Sequence, residues 1–174
     1  MSGDDSGFVP CESATLPAWG SGAVRPDGYP QTVSDVLVVT DAPWVLDDVS
    51  AAISGPEVSV RTVSAGVDVL PAVRTSLPDL VVLDLQVGNM GGMAACLNLR
   101  LEEGAGRLGH VPVLMLLDRR ADVFLARRSE ADGWVVKPLD ALRTRAAVRA
   151  LLAGDRYEDA TNAPSTTGTP LQVG

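Results

Sequence analysis

Short apolar runs alternate with segments of helical period from residue 34 to residue 154. The apolar runs are residues 36–39, 58–63, 80–83, 111–117 and 134–136, and each is too short for a helix. They are rich in valine and leucine, as strands are. The run at 58–63 alternates apolar and polar positions, whereas 80–83 is apolar throughout and reads as a fully buried parallel strand. Between the first two runs, Val45, Val49 and Ile53 recur at four-residue spacing and mark a helix over 44–54. Residues 66–76, 93 to 101 or 103, 121–131 and 141–152 read as further helices. Strict strand–helix alternation predicts an α/β fold, a doubly wound five-stranded parallel sheet with right-handed crossovers and helices on both faces. The short turns between elements set the expected strand order at 2-1-3-4-5.

The pattern fails at both ends. Residues 1–33 are rich in Gly, Ser, Pro and Asp and have no sustained period, so they read as a disordered arm with Phe8, Trp19 and Tyr29 as scattered aromatics. Residues 155–174 have a similar composition and read as a disordered tail. The expected organisation is one domain over 34–154 between two tails.

Composition narrows the function classes. In 174 residues an apolar fraction of 46% is enough for one domain of ordinary size with a true core. A net charge of −8 and a pI near 4.5 argue against nucleic acid as the main partner. Cys11 and Cys96 make no disulfide framework, and no signal peptide is recognisable. The longest apolar run falls far short of the roughly 20 residues that span a bilayer. The expectation is a soluble, cytoplasmic protein.

Candidate chemistry gathers at the carboxyl ends of three strands. Leu80-Val81-Val82-Leu83 ends in Asp84 and leads into a glycine-rich loop, Gly88-Asn89-Met90-Gly91-Gly92. Residues 35–40 end in Asp41, and Gly133-Trp134-Val135-Val136 ends in Lys137 and then Pro138. In open α/β sheets this edge is where ligands bind. Three parallel strands would bring Asp41, Asp84 and Lys137 together there. Two acids can hold Mg²⁺, one of them accepting a phosphoryl group, while an ammonium meets the phosphoryl oxygens. Any one acid at a strand end reads equally well as a solvated turn residue.

With these pieces in order, residues 34–154 resemble the receiver domain of bacterial response regulators, a flavodoxin-like fold. The matching segments are Val36-Leu37-Val38-Val39-Thr40-Asp41, Pro78-Asp79-Leu80-Val81-Val82-Leu83-Asp84, Pro112-Val113-Leu114-Met115, Val135-Val136-Lys137-Pro138 and Val148-Arg149-Ala150-Leu151-Leu152. The resemblance implies that Asp84 is the phosphoacceptor and that Lys137 pairs with it or with its phosphate. It implies that Asp41 and Asp84 bind Mg²⁺ with the backbone carbonyl of Gln86. Trp134 falls on the aromatic that rearranges between inactive and active forms, and Pro138 on a proline that follows a cis peptide bond.

Several positions depart from the family pattern. Thr40 stands where a second acid is usual. Leu117 stands at the end of strand four, where a Ser or Thr hydroxyl is usual, and no Ser or Thr occurs anywhere in residues 112–118. Asp118 follows, where a small residue is usual; a carboxylate there would repel an incoming phosphoryl group. Gly88 replaces a loop proline, a milder change.

Three functions fit these residues to different degrees. A phosphorylation-gated receiver of a two-component phosphorelay is supported by Asp41, Asp84 and Lys137. An atypical stand-alone receiver that works as a protein-interaction module, with phosphorylation weak or uncoupled, is favoured by Thr40, Leu117 and Asp118. A haloacid-dehalogenase-like phosphatase would need an acid two residues after Asp84, and Gln86 stands there, so an enzyme is not expected. His110 precedes a strand and reads as a loop residue. Arg127, Arg128, Arg143, Arg145 and Arg149 lie on the last two helices around Trp134. The face of helix four, strand five and helix five, with Trp134, Arg127, Arg145 and Arg149, is thus the expected partner surface. A sensor histidine kinase is the second partner that the resemblance implies.

Overall fold

A computed structural model describes residues 33–159. The expected arm, with Phe8, Cys11, Trp19 and Tyr29, and residues 160–174 of the expected tail lie outside the described residues.

Six parallel strands form one sheet in the order β2-β1-β3-β4-β5-β6. They are β1 Ser34–Val39, β2 Val58–Val63, β3 Leu80–Asp84, β4 Val113–Leu117, β5 Gly133–Val136 and β6 Tyr157–Glu158. The five expected strands stand in the expected order, and β6 is an addition beyond β5. It arises in residues that the composition assigned to a disordered tail. In register, Val36 to Val39 face Leu80 to Leu83, and Asp84 faces Leu116. Every residue of β3 and β4 is buried, as apolar runs covered on both faces require.

The helices are α1 Pro43–Ile53, α2 Val69–Thr75, α3 Gly92–Gly104, α4 Val123–Arg128 and α5 Ala141–Leu152. Pro43 opens α1, where its missing N–H costs nothing. Asp140 caps α5 by accepting from the backbone N–H groups of Leu142 and Arg143. Val45, Val49 and Ile53 of α1 pack with Val148 and Leu151 of α5 on one face of the sheet. Val69, Val73, Cys96, Leu99 and Ala126, from α2, α3 and α4, cover the other. Helix α4 is shorter than the 121–131 that the sequence predicts. A single 3₁₀ turn, Arg120–Asp122, precedes it, and Glu130 follows it at φ +57°. The topological switch falls between β1 and β3, so a crevice opens at their carboxyl ends.

Candidate functional site

Asp84 closes β3 with 1% of its surface exposed, and three donors reach its carboxylate. Lys137 Nζ donates to Oδ1 at 2.8 Å, the backbone N–H of Gln86 donates to Oδ1 at 3.1 Å, and the Thr40 hydroxyl donates to Oδ2 at 3.0 Å. Thr40 in turn accepts from the N–H of Ala42, which holds its hydroxyl in place. A Cβ on Gly92 would lie 2.4 Å from the backbone oxygen of Asp84, so only glycine lets α3 begin this close to the strand end.

Lys137 directly follows β5, with its N–H donated to the carbonyl of Leu117 and a cis bond to Pro138, as the family pattern implies. Its side chain is 8% exposed, and its ammonium also meets Asp118 Oδ1 at 3.0 Å. The same ammonium lies 5.4 Å from the ring centre of Trp44, which is within cation–π range. Asp118 Oδ2 is buried and has no hydrogen-bond partner among the described residues. The site is therefore a buried cation shared by two carboxylates.

Asp41 is exposed, and its Oδ2 accepts from the N–H of Gly88 at 3.1 Å. That bond turns it toward the β3–α3 loop. The loop carries Asn89 and Met90 at φ +47° and +75°, and its carbonyls at Gly88 and Asn89 accept from the N–H groups of Gly66 and Val67. Asp41, Asp84 and the Gln86 carbonyl are oxygen donors only, which suits a hard cation such as Mg²⁺. Among the described residues no group of three or more His, Cys, Asp or Glu side chains gathers as a metal site, so such a site would lean on backbone and water.

Leu117 is fully buried on the α2–α3–α4 side, in one apolar cluster with Met115 and Trp134. Met115 faces Trp134 in the β4–β5 register. Trp134 is 4% exposed, and the Arg127 guanidinium caps its ring at 5.2 Å from the centre.

The expected partner surface needs correction. Trp134 is a core residue, because β5 turns that side chain inward against α4. Arg127 sits at the outer edge of β5, where it also pairs with Glu158 at 3.1 Å. Arg145 and Arg149 lie elsewhere: Arg145 donates to the carbonyl of Ala52, and both line a cleft of about 340 Å³ between α5 and the α1–β2 turn. Residues of α5 that point toward α1 cannot also flank β5. The arginine that does so is Arg143, which pairs with Asp159 at 2.7 Å. His110 is an exposed loop residue against Glu103, and Cys96 is a buried thiol pushed up to about 11 by burial.

Sequence reasoning placed Asp84 and Lys137 together but missed the parts played by four residues at this site and at the β5 edge. Thr40 marks a lost carboxylate in the family pattern, and in the structure it is a hydrogen-bond donor to Asp84. Trp44 was not read as packing against the lysine. Glu158 and Asp159 were assigned to a tail. Only the first left a signal, because a hydroxyl beside Asp41 on the neighbouring strand is within reach of Asp84.

A family model for the response regulator receiver domain matches residues 36–149. Over 127 residues the chain is 35% identical to the DNA-binding response regulator MtrA of Mycolicibacterium smegmatis, covering 72% of this chain and 53% of that protein. The chain thus spans about half the length of the curated relatives it matches. Among solved structures, a LuxR-family two-component response regulator from Aurantimonas superposes with a TM-score of 0.63 at 26% identity, covering 72% of this chain and 89% of that one. The chemotaxis response regulator CheY4 of Vibrio cholerae superposes with a TM-score of 0.61 at 21% identity, covering 69% and 99%, a likeness of fold. The chain belongs to the response regulator receiver family of two-component systems.

Proposed function

We propose that this receiver works chiefly as a protein-interaction module whose binding surface is set independently of phosphorylation at Asp84. The observation that carries this reading is Leu117: fully buried at the end of β4, it shares one packed cluster with Trp134. It has no hydroxyl to move toward a phosphate, and its bulk takes up the space into which the aromatic would turn. A ligand shifts a two-state element only through differential interaction with its two states. With Leu117 in that place, the phosphate has nothing to pull.

Asp118 points the same way. Its carboxylate already holds Lys137, so a phosphodonor meets a lysine partly neutralised and a second negative charge beside the acceptor. Asp41, Asp84 and the Gln86 carbonyl would hold Mg²⁺, weakly because Thr40 brings no charge. When bound, the ion would screen the approach of an anionic donor. The role is one of signalling rather than enzymatic turnover. The partner is a protein rather than nucleic acid, in keeping with the net charge of −8. A cytoplasmic setting and a sensor histidine kinase as occasional phosphodonor complete the reading.

The second reading, a conventional switch, is favoured by the Asp84–Lys137 contact itself. One experiment separates them. Acetyl phosphate and Mg²⁺ are supplied, labelling of Asp84 is measured by mass spectrometry, and the environment of Trp134 is followed by near-ultraviolet circular dichroism in a Trp19→Phe, Trp44→Phe background, which leaves Trp134 as the one tryptophan. Low occupancy with an unchanged tryptophan signal is expected. High occupancy with a tryptophan signal that rises in step would establish the conventional switch.

A further inference from the structure

The outer edge of β5 is a built strand-docking site. Gly133 and Trp134 pair in parallel with Tyr157 and Glu158, and the N–H of Tyr157 donates to the carbonyl of Asp132. Gly133 is shaped for that approach: a Cβ there would meet the backbone oxygen of Tyr157 at 2.7 Å. Both faces of the edge then supply cations. Arg127, from α4, takes the Glu158 carboxylate, and Arg143, from α5, takes Asp159. Asp159 Oδ2 also accepts from the N–H of Val136 at 3.1 Å. An aromatic followed by two consecutive acids is thus read by one glycine, two arginines and the backbone N–H of Val136. A bare strand edge exposes unpaired groups and needs cover, and residues 155–159 provide it.

We infer that this edge is the binding surface for an extended acidic segment of a partner protein, and that residues 155–159 are its resident competitor. The inference deepens the interaction-module reading by naming the surface and the partner's chemistry. Strand addition gives affinity through main-chain bonds, and the arginines select carboxylates at successive positions. Because the resident strand is tethered, its effective concentration is in the millimolar range, so a partner binds only by outcompeting it. The arrangement holds the surface closed against weak or non-acidic segments. It also holds Arg127 over Trp134, which ties the edge to the core.

The test uses full-length chains and a fluorescein-labelled peptide with the sequence of residues 154–160, Gly-Asp-Arg-Tyr-Glu-Asp-Ala. The closed form is wild type; the opened form is Glu158→Arg with Asp159→Ala, which keeps β5 and both arginines. Fluorescence anisotropy should show the peptide binding the opened chain at least roughly tenfold more tightly than wild type. Adding Arg127→Glu to the opened chain should remove that binding, and a peptide with Arg at positions 158 and 159 should not bind. Hydrogen exchange of the Val136 amide should accelerate in the opened chain.

Equal affinity for both chains, or no binding to an opened chain whose Val136 amide exchanges fast, overturns the proposal. So does an unchanged Val136 exchange rate, because the Asp159 carboxylate would then not be holding the edge. A wild-type dimer that Asp159→Ala dissociates would make a second copy the occupant and overturns it equally. None of these substitutions touches Asp84, Lys137 or Asp118, so failure here leaves the labelling experiment at Asp84 to be judged separately.

Discussion

Lys137 Nζ lies 3.0 Å from Asp118 Oδ1, so the cation that faces Asp84 is already bound to a second carboxylate. Two unit charges about 4 Å apart interact by about 4 kcal/mol at an effective dielectric near 20, and about 1.4 kcal/mol is a factor of ten. Asp118→Ala frees the lysine and removes a negative charge from the donor's path. Labelling of Asp84 by acetyl phosphate should accelerate by at least about tenfold. An unchanged rate would show that Asp118 does not limit the acceptor.

Trp44 reports on the same site, because its ring lies 5.4 Å from Lys137 Nζ. Mg²⁺ drawn to Asp41 and Asp84, as proposed, would change the field at that ammonium. Titration should therefore change Trp44 fluorescence with a midpoint at millimolar rather than micromolar Mg²⁺, and Asp84→Asn should abolish the change. Thr40→Asp, which restores a carboxylate next to Asp41, should shift the midpoint to lower Mg²⁺. Titration at low micromolar Mg²⁺ in Asp84→Asn would place the metal elsewhere.

The parts of the fold that were legible in the sequence are those with local causes. Leu80 to Leu83 is apolar in every position because β3 is covered on both faces, and Val45, Val49 and Ile53 recur because one side of α1 meets the sheet. Asp84 and Lys137 could be brought together because parallel strands end at one edge. The sixth strand had no such signature. Tyr157 and Glu158 are too few to show a period, and what holds them is non-local: Arg127, Arg143, Asp132 and Val136 are all distant in sequence. The partner face failed for a related reason. Helix five has one side toward β5 and another toward α1, and residue type alone does not say that Arg143 takes the first and Arg145 the second.

Leu117 can be tested through its size as well as its chemistry. Leu117→Ala should destabilise the domain by about 2–5 kcal/mol, as truncations of buried leucines do. Leu117→Thr should also lower the melting temperature, while restoring a hydroxyl and opening space beside Trp134. In that variant, and not with Leu117 in place, phosphorylation should alter the near-ultraviolet dichroism of Trp134 in the Trp19→Phe, Trp44→Phe background. A phosphorylation-dependent signal of equal size in both would mean that another element carries the coupling.

Away from the site, Glu102 sets part of the acid stability. Its carboxylate is held down from 4.5 to about 2 by hydrogen bonds from Arg107 and then Arg74. In the unfolded chain the same carboxyl titrates near its ordinary value. Between the two values the unfolded state binds the extra proton, so stability falls as the pH falls. The contribution is fully present above about 4.5 and is lost progressively toward about 2. Glu102→Gln should therefore melt below wild type at pH 7, and the two melting curves should converge by pH 2. Arg74 and Arg107 are each more than half exposed, so the difference at pH 7 should also shrink in 1 M salt. Thermal melts from pH 7 to pH 2 decide it: a gap that stays constant across the acid range would mean that Glu102 contributes packing rather than charge.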